Sequence, residues 1–367
     1  MEEVDVAIVG AGVVGLAAAA RLAPGRSLLV LEAHRRYGVE TSSRNSEVVH
    51  AGLYYAPGSL KSRLCHEGRR RLYALASEGV FVKKTGKLVV AAEDSEIGAL
   101  EALKNRAEQA GAQGLAMIDG KEAARRCPGL KAAEAIWSPE TGIVDSEELM
   151  GYYHRRAEAA GAIFLFGSPL ERVESRPDGY VLSFGPSGER ALARVVVNAA
   201  GLHSDKVAAL AGVDVDAAGY RLRWCKGSYF RCRRDMPIAH LVYPLPEKHG
   251  LGVHLTLDRR GGIRFGPDIE FVDKLDYDVD PSRREAFARA ARRYLPAVSA
   301  DDLLPDTSGI RPKLKAPEGV FPDFVIREES SRGLRGWIDL IGIESPGLTA
   351  SPAIAEAVAR LVEAGTQ

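Results

Sequence analysis

The first 32 residues constrain this chain most. An apolar run, Val4-Asp5-Val6-Ala7-Ile8-Val9, leads into Gly10-Ala11-Gly12-Val13-Val14-Gly15 and then an alanine-rich run to Leu22. The order is strand, glycine turn, helix. Gly10 allows the tight turn, Gly12 lets the backbone approach a pyrophosphate, and Gly15 lets the helix pack close to the strand. The helix N-terminus then faces a dianion with free N–H groups and its dipole. A second apolar run, Ser27 to Leu31, ends in Glu32. An acid about twenty positions past the first glycine is placed to accept the hydroxyls of an adenosine ribose, and it repels a 2′-phosphate. The stretch therefore reads as a dinucleotide site that disfavours NADP.

The same stretch is apolar enough to resemble an export signal. Its start, Met1-Glu2-Glu3-Val4-Asp5, is acidic where a signal peptide needs positive charge, so it is read as the nucleotide motif instead. The 367 residues suffice for two domains, and no run is long and apolar enough to span a bilayer. Lys+Arg 49 balances Asp+Glu 49, which leaves no global field to gather nucleic acid. Clusters such as Arg69-Arg70-Arg71 read as solvated faces. The four cysteines, Cys65, Cys127, Cys225 and Cys232, form no CxxC pair and no zinc spacing, so they read as free thiols in a reducing cytoplasm, with no metal site.

Beyond Glu32 a polar loop, Thr41-Ser42-Ser43-Arg44-Asn45-Ser46-Glu47, runs into Val48 to Tyr55 through His50. Such a loop is where ring contacts and catalytic groups are expected. Pro57-Gly58-Ser59 opens a helix from Lys61 to Ala76, with leucines at core spacing. Gly86 to Ala92 reads as a strand and Glu96 to Gln109 as a helix, neither with evident chemistry. Asp145 or Ser146 caps a helix that runs to Ala160. Arg194-Val195-Val196-Val197-Asn198-Ala199-Ala200-Gly201 is a buried strand whose small terminal residues admit a nucleotide if it lies beside the first strand.

From Gly219 to Leu314 short strands broken by Gly and Pro suggest an antiparallel sheet, including Leu241 to Pro244 and Leu251 to Leu255. A helix from Arg283 to Tyr294 follows, then Ser308-Gly309-Ile310-Arg311-Pro312. Trp337 to Thr349 closes the nucleotide domain with another glycine turn, and a helix is expected from Ser351 onward. The expected fold is α/β, α+β overall. It has a Rossmann-like nucleotide domain of residues 1–80, 142–215 and 320–367, and a mostly antiparallel substrate domain of residues 81–141 and 216–319. A second GxGxxG does not occur, so the partner in electron transfer is expected to be a small molecule.

With these motifs in place the chain resembles the FAD-dependent oxidoreductases of the D-amino-acid-oxidase-like superfamily. The resemblance rests on Gly10-x-Gly12-x-x-Gly15 with Glu32, on Ala200-Gly201, on Gly309-x-Arg311-Pro312 and on Gly342 to Thr349. Within it the chain resembles the L-2-hydroxyglutarate dehydrogenase/oxidase family. That match is carried by Ser43 to Tyr55, Pro57-Gly58-Ser59-Leu60-Lys61, Lys226-Gly227-Ser228-Tyr229-Phe230 and Ile343 to Thr349. Glu47 departs from the pattern, standing where many relatives have glycine.

The resemblance implies a non-covalent FAD, a substrate with an α-carboxylate and hydride transfer to flavin N5. It implies cofactor contacts from Gly10, Gly12, Val14, Gly15, Glu32 and Ala33, from Ser42, Ser43, Arg44, Asn45 and Ser46, and from Val173, Ala200 and Gly201. Further contacts come from Gly309 and Arg311 and from Gly342, Glu344, Ser345, Gly347, Leu348 and Thr349. Oxidation of a 2-hydroxy acid needs a clamp for the carboxylate and a base for the hydroxyl proton. Arg311 is the expected clamp, since a guanidinium pairs both oxygens. His50 is the expected base and His254 the second candidate. Tyr55, Lys226 and Tyr243 are candidates to line the substrate site and hold a distal carboxylate. L-2-hydroxyglutarate is the expected substrate and oxygen or a quinone the acceptor. An amino-acid or secondary-amine oxidase is the rival, and a catalytically empty or nucleic-acid-directed flavoprotein the remoter one. A cytoplasmic location follows from the same reading, with peripheral membrane contact left open.

Overall fold

The computed structural model describes residues 1–246, 252–317 and 320–365. In chain order it comprises β1 (Glu2–Val9), α1 (Val13–Leu22), β2 (Leu28–Glu32), β3 (Val48–Val49), α2 (Leu60–Ala74), β4 (Val82–Lys84), β5 (Lys87–Ala91), α3 (Ile97–Gln109), β6 (Ala116–Asp119) and α4 (Gly120–Arg126). There follow β7 (Glu134–Ser138), β8 (Gly142–Val144), α5 (Ser146–Ala159), β9 (Ile163–Phe166), β10 (Leu170–Arg176), β11 (Gly179–Phe184), β12 (Glu189–Asn198), α6 (Ser204–Leu210) and β13 (Leu222–Cys232). The remainder is β14 (Leu241–Pro244), β15 (His254–Leu257), β16 (Ile263–Gly266), β17 (Glu270–Val272), α7 (Arg284–Arg292), β18 (Leu303–Leu314), β19 (Val325–Glu329), β20 (Leu334–Ile341) and α8 (Gly347–Gly365).

Two compact units result: residues 1–43, 146–224 and 311–367, and residues 44–145 and 225–310. The expected division gave residues 216–224 and 311–317 to the substrate domain, whereas the first unit holds them, and residues 44–80 and 142–145 to the nucleotide domain. The latter two segments fall in the second unit, because β3 pairs with β8 and α2 lies against β4.

The first unit is built on a sheet ordered β10-β11-β12-β1-β2-β9, with β20 on β12 and β19 on β20. β9, β2, β1, β12 and β20 run parallel, and the central β2 and β1 are the continuous apolar strands expected of a sheet covered on both faces. β12 is long enough to serve two neighbours on one side. Its residues 189–193 pair antiparallel with β11, and its residues 196–198 pair parallel with β20. α1 packs against α5 and α8. Trp337 and Tyr180, ring centroids 5.3 Å apart, anchor an apolar cluster that includes Val196 and Ile341.

The second unit contains a sheet ordered β17-β13-β16-β15-β14-β5-β7-β6, with β18 on β13, and a small sheet β3-β8-β4. β13–β16, β15–β16, β14–β15, β5–β7 and β6–β7 pair antiparallel as expected, and β14 runs parallel to β5. Leu251, placed at the start of a strand by the sequence, lies outside the described residues, and β15 begins at His254. Alternation along β5 divides the unit's core in two. Leu88 and Val90 join Phe230, Phe265 and Phe287 on one face, while Val89 and Ala91 join Leu100, Leu103 and Tyr243 on the other. Lys87 shares the parity of Val89.

α8 begins at Gly347, four residues before the expected Ser351. Pro352 lies inside it and cannot donate to the Leu348 carbonyl four residues back, but Ser351 Oγ donates there at 2.9 Å. The helix survives its proline because a neighbouring hydroxyl satisfies the freed acceptor.

Candidate functional site

In the first unit β12 lies beside β1 in parallel register, Val9 opposite Asn198, and Ala199 N donates to Val9 O at 2.9 Å. This is the neighbourhood the small residues after β12 anticipated. Gly10 has φ 103°, and a β-carbon there would stand 2.5 Å from Ala199 O. A β-carbon on Gly15 would stand 2.0 Å from Gly10 O. These two glycines are fixed by backbone packing. Gly12 caps α1 in an extended conformation without a side-chain hydrogen bond, and Val13 N donates to Ser42 Oγ at 2.9 Å. No acidic residue occupies the first turn of α1, so its N-terminus fits a pyrophosphate.

Glu32, at the end of β2, is buried. Its Oε2 accepts from Ala11 N at 2.7 Å and its Oε1 from His34 N at 2.8 Å. The carboxylate thereby orders the glycine turn and retains acceptor capacity for a ribose hydroxyl. Val14 lies on α1, Ala33 is exposed after β2, and Ala200 and Gly201 follow β12. Gly342 adopts φ 69°, where a β-carbon would press on Leu314. Glu344 pairs with Lys313 at 3.0 Å, and Ser345 precedes α8, which contains Gly347, Leu348 and the buried Thr349. The residues fit a dinucleotide cofactor. Val173 stands apart from the glycine turn in sheet order: it lies on β10, with β11 and β12 intervening before β1. Arg311 lies half-buried on β18 in this unit.

The second unit holds Arg44, Asn45 and Ser46, whereas Ser42 and Ser43 belong to the first. Gly309 packs on this loop so tightly that a β-carbon would meet Arg44 O at 1.9 Å. The Arg44 guanidinium lies over the Tyr277 ring at 4.2 Å. Glu47 is in the left-handed region at φ 55°, a conformation that favours glycine.

His50 follows β3. Burial first, then the charges of Lys87 and His254, hold its pKa down to about 3, so the imidazole is neutral near pH 7. Its ring meets Tyr55 edge-on at 6.4 Å. Val242 pairs with Leu255, which sets Tyr243 beside His254, and their rings stack at 3.7 Å. His254 Nδ1 donates to Gly252 O at 2.9 Å. Tyr54 lies parallel to Tyr243 at 6.4 Å. Lys226, expected to meet substrate, donates instead to Asp276 Oδ2 at 3.1 Å and Asp278 O at 2.6 Å.

Sequence reasoning missed Lys87. It opens β5, is fully buried, and its ammonium stands 4.4 Å from the Tyr243 ring centre and 4.7 Å from that of Tyr54. Burial lowers its pKa to about 7. The available signal was a lysine opening the apolar run Lys87-Leu88-Val89-Val90-Ala91.

Among the described residues no cluster of His, Cys, Asp and Glu could hold a metal, and no helix is long and apolar enough to cross a membrane. None of the four cysteines is in a disulfide.

Comparison with known proteins matches residues 5–361 to the family described as DAO, FAD dependent oxidoreductase. The chain is 41% identical to a protein of Arabidopsis thaliana named L-2-hydroxyglutarate dehydrogenase, mitochondrial, over 98% of this chain and 83% of that protein. In structure it is similar to the dithionite-reduced, FAD-bound L-alpha-glycerophosphate oxidase of Mycoplasma pneumoniae, with TM-score 0.89, 24% identity and coverage of 99% and 95%. It is also similar to glycine oxidase of Geobacillus kaustophilus, with TM-score 0.82, 23% identity and coverage of 99% and 95%. At those identities the two structures bear on the fold alone. The match of residues 5–361, nearly the whole length, places this chain in the DAO family of FAD-dependent oxidoreductases.

Proposed function

We propose that this enzyme oxidises L-2-hydroxyglutarate, or a close 2-hydroxy acid, to the 2-oxo acid. The observation that carries the reading is the 41% identity to the plant enzyme of that name across 98% of the chain. When bound, FAD supplies the two-electron acceptor for the substrate's α-hydrogen. The first unit would hold it non-covalently through the Gly10 to Gly15 turn, Glu32 and the segment around Ser345 to Thr349. Neutral His50 takes the hydroxyl proton, with His254 as the alternative base. Arg311 pairs the α-carboxylate. The acceptor that reoxidises the enzyme is assigned to a small molecule, oxygen or a quinone. Four cysteines outside any disulfide support a reducing compartment, and we assign the chain to the cytoplasm.

The test is anaerobic mixing of the yellow protein with L-2-hydroxyglutarate, its D enantiomer, L-lactate, glycerol 3-phosphate, sarcosine and D-amino acids, following the visible flavin band. Selective bleaching by the L-hydroxy acid is expected. Bleaching by an amine alone gives the amine-oxidase reading, and bleaching by none of them removes the proposed activity.

A further inference from the structure

Lys87 is an anomalous charge in the second unit. It is fully buried and, among the described residues, makes no ion pair with a carboxylate. An ammonium in that position costs several kcal/mol unless an anion compensates it. A merely structural residue here would be apolar, since the same face carries Val89, Leu241 and Tyr243. The two tyrosine rings supply part of the compensation through their negative faces. They leave a second deficit on the same face: the Tyr54 hydroxyl is buried and without a hydrogen-bond partner. A buried cation and an unsatisfied hydroxyl donor thus stand on adjoining parts of one aromatic group, which His254 extends by stacking on Tyr243.

We infer that Lys87 and the Tyr54 hydroxyl determine specificity for a second carboxylate, so that this face selects dicarboxylic over monocarboxylic acids. The inference rests on the proposed 2-hydroxy-acid reading and names the class of acid. One carboxylate satisfies both groups: its oxygen accepts the Tyr54 O–H, and its charge neutralises Lys87 across the tyrosine faces. Lys226, whose ammonium is engaged by Asp276 and Asp278, is replaced in this role.

The experiment measures binding of unreactive acids by calorimetry to the FAD-loaded enzyme, comparing glutarate with butyrate. Wild type should bind glutarate at least ~10-fold more tightly, in keeping with one charge-assisted bond. Lys87→Met is close in volume and should bring glutarate down to the butyrate level while leaving butyrate unchanged. Tyr54→Phe keeps the ring and should lose part of the preference. Lys87→Arg should retain most of it. Should Lys87→Met fail to fold, Tyr54→Phe and Lys87→Arg carry the test. An unchanged glutarate preference in either Lys87→Met or Tyr54→Phe overturns the inference, and so does equal weakening of both acids. The substrate panel fails separately: a wild type that prefers glutarate yet is bleached by no hydroxy acid would sink the proposed reaction and keep the dicarboxylate site.

Discussion

The side-chain amide of Asn198 donates to Asp339 Oδ1 across 2.7 Å, tying the end of β12 to β20. Trp337 Nε1 donates to the same oxygen at 3.0 Å, while Oδ2 is buried without a partner. Burial outweighs these bonds and raises the Asp339 pKa to about 6. The folded state therefore holds this proton more tightly than the unfolded chain. Its stabilisation is full below about pH 4 and is lost as pH rises through about 6, a swing of up to about 3 kcal/mol. Asp339→Asn should flatten that part of the stability profile in denaturant titrations from pH 4 to pH 7. An unaltered slope would assign the pH dependence elsewhere.

Gly15→Ala places a methyl against Gly10 O and should cost about 1–3 kcal/mol through overpacking. The turn that must shift is the one proposed to hold the pyrophosphate, so the protein should also purify with less flavin. The ratio of visible to ultraviolet absorbance reads this directly.

His50→Gln should slow anaerobic flavin reduction by about 100- to 10,000-fold if the imidazole takes the hydroxyl proton. Because burial, Lys87 and His254 hold its pKa near 3, wild-type kcat/KM should show no acid limb near pH 6.5 from this group. A variant within a few-fold of wild type ends its role as base.

Arg311→Lys exchanges a two-pronged donor for a point charge. Weakening by about 10- to 100-fold in kcat/KM is expected, with little change in melting temperature. A loss of thermal stability without loss of kcat/KM would make Arg311 structural.

Glu47 carries a side chain at φ 55°, a conformation that costs a non-glycine residue about 1–2 kcal/mol. Glu47→Gly should recover about 0.5–1 kcal/mol after allowing for the greater freedom of glycine in the unfolded chain. A rise of the melting temperature checks this, and a fall would mean that the Glu47 side chain contributes more than its backbone costs.

The nucleotide cradle was legible because its signals are local: glycine spacing, the acid at the end of β2, and small residues after β12. What pairs over long distances was not. The parallel β5–β14 contact joins segments about 150 residues apart, and no spacing within either announces it. For the same reason the strand from Gly86 to Ala92 showed no evident chemistry, whereas the strands and rings packed around Lys87 bury it completely. The start of α8 was placed too late because Pro352 reads as a helix breaker unless the Ser351 hydroxyl is seen to satisfy Leu348. The left-handed backbone of Glu47 became apparent only in three dimensions.

The packing of α1 against α8 also sets an order of events during synthesis. Arg21 and Glu356, 335 residues apart in sequence, meet at 3.0 Å. The helix that opens the cofactor cradle therefore leaves the ribosome long before the helix that covers it. Until α8 emerges, the apolar side of α1 has to be shielded by a chaperone or by transient contacts, and a chain stopped short of residue 347 should be degraded or aggregate rather than wait as a cofactor-binding fragment.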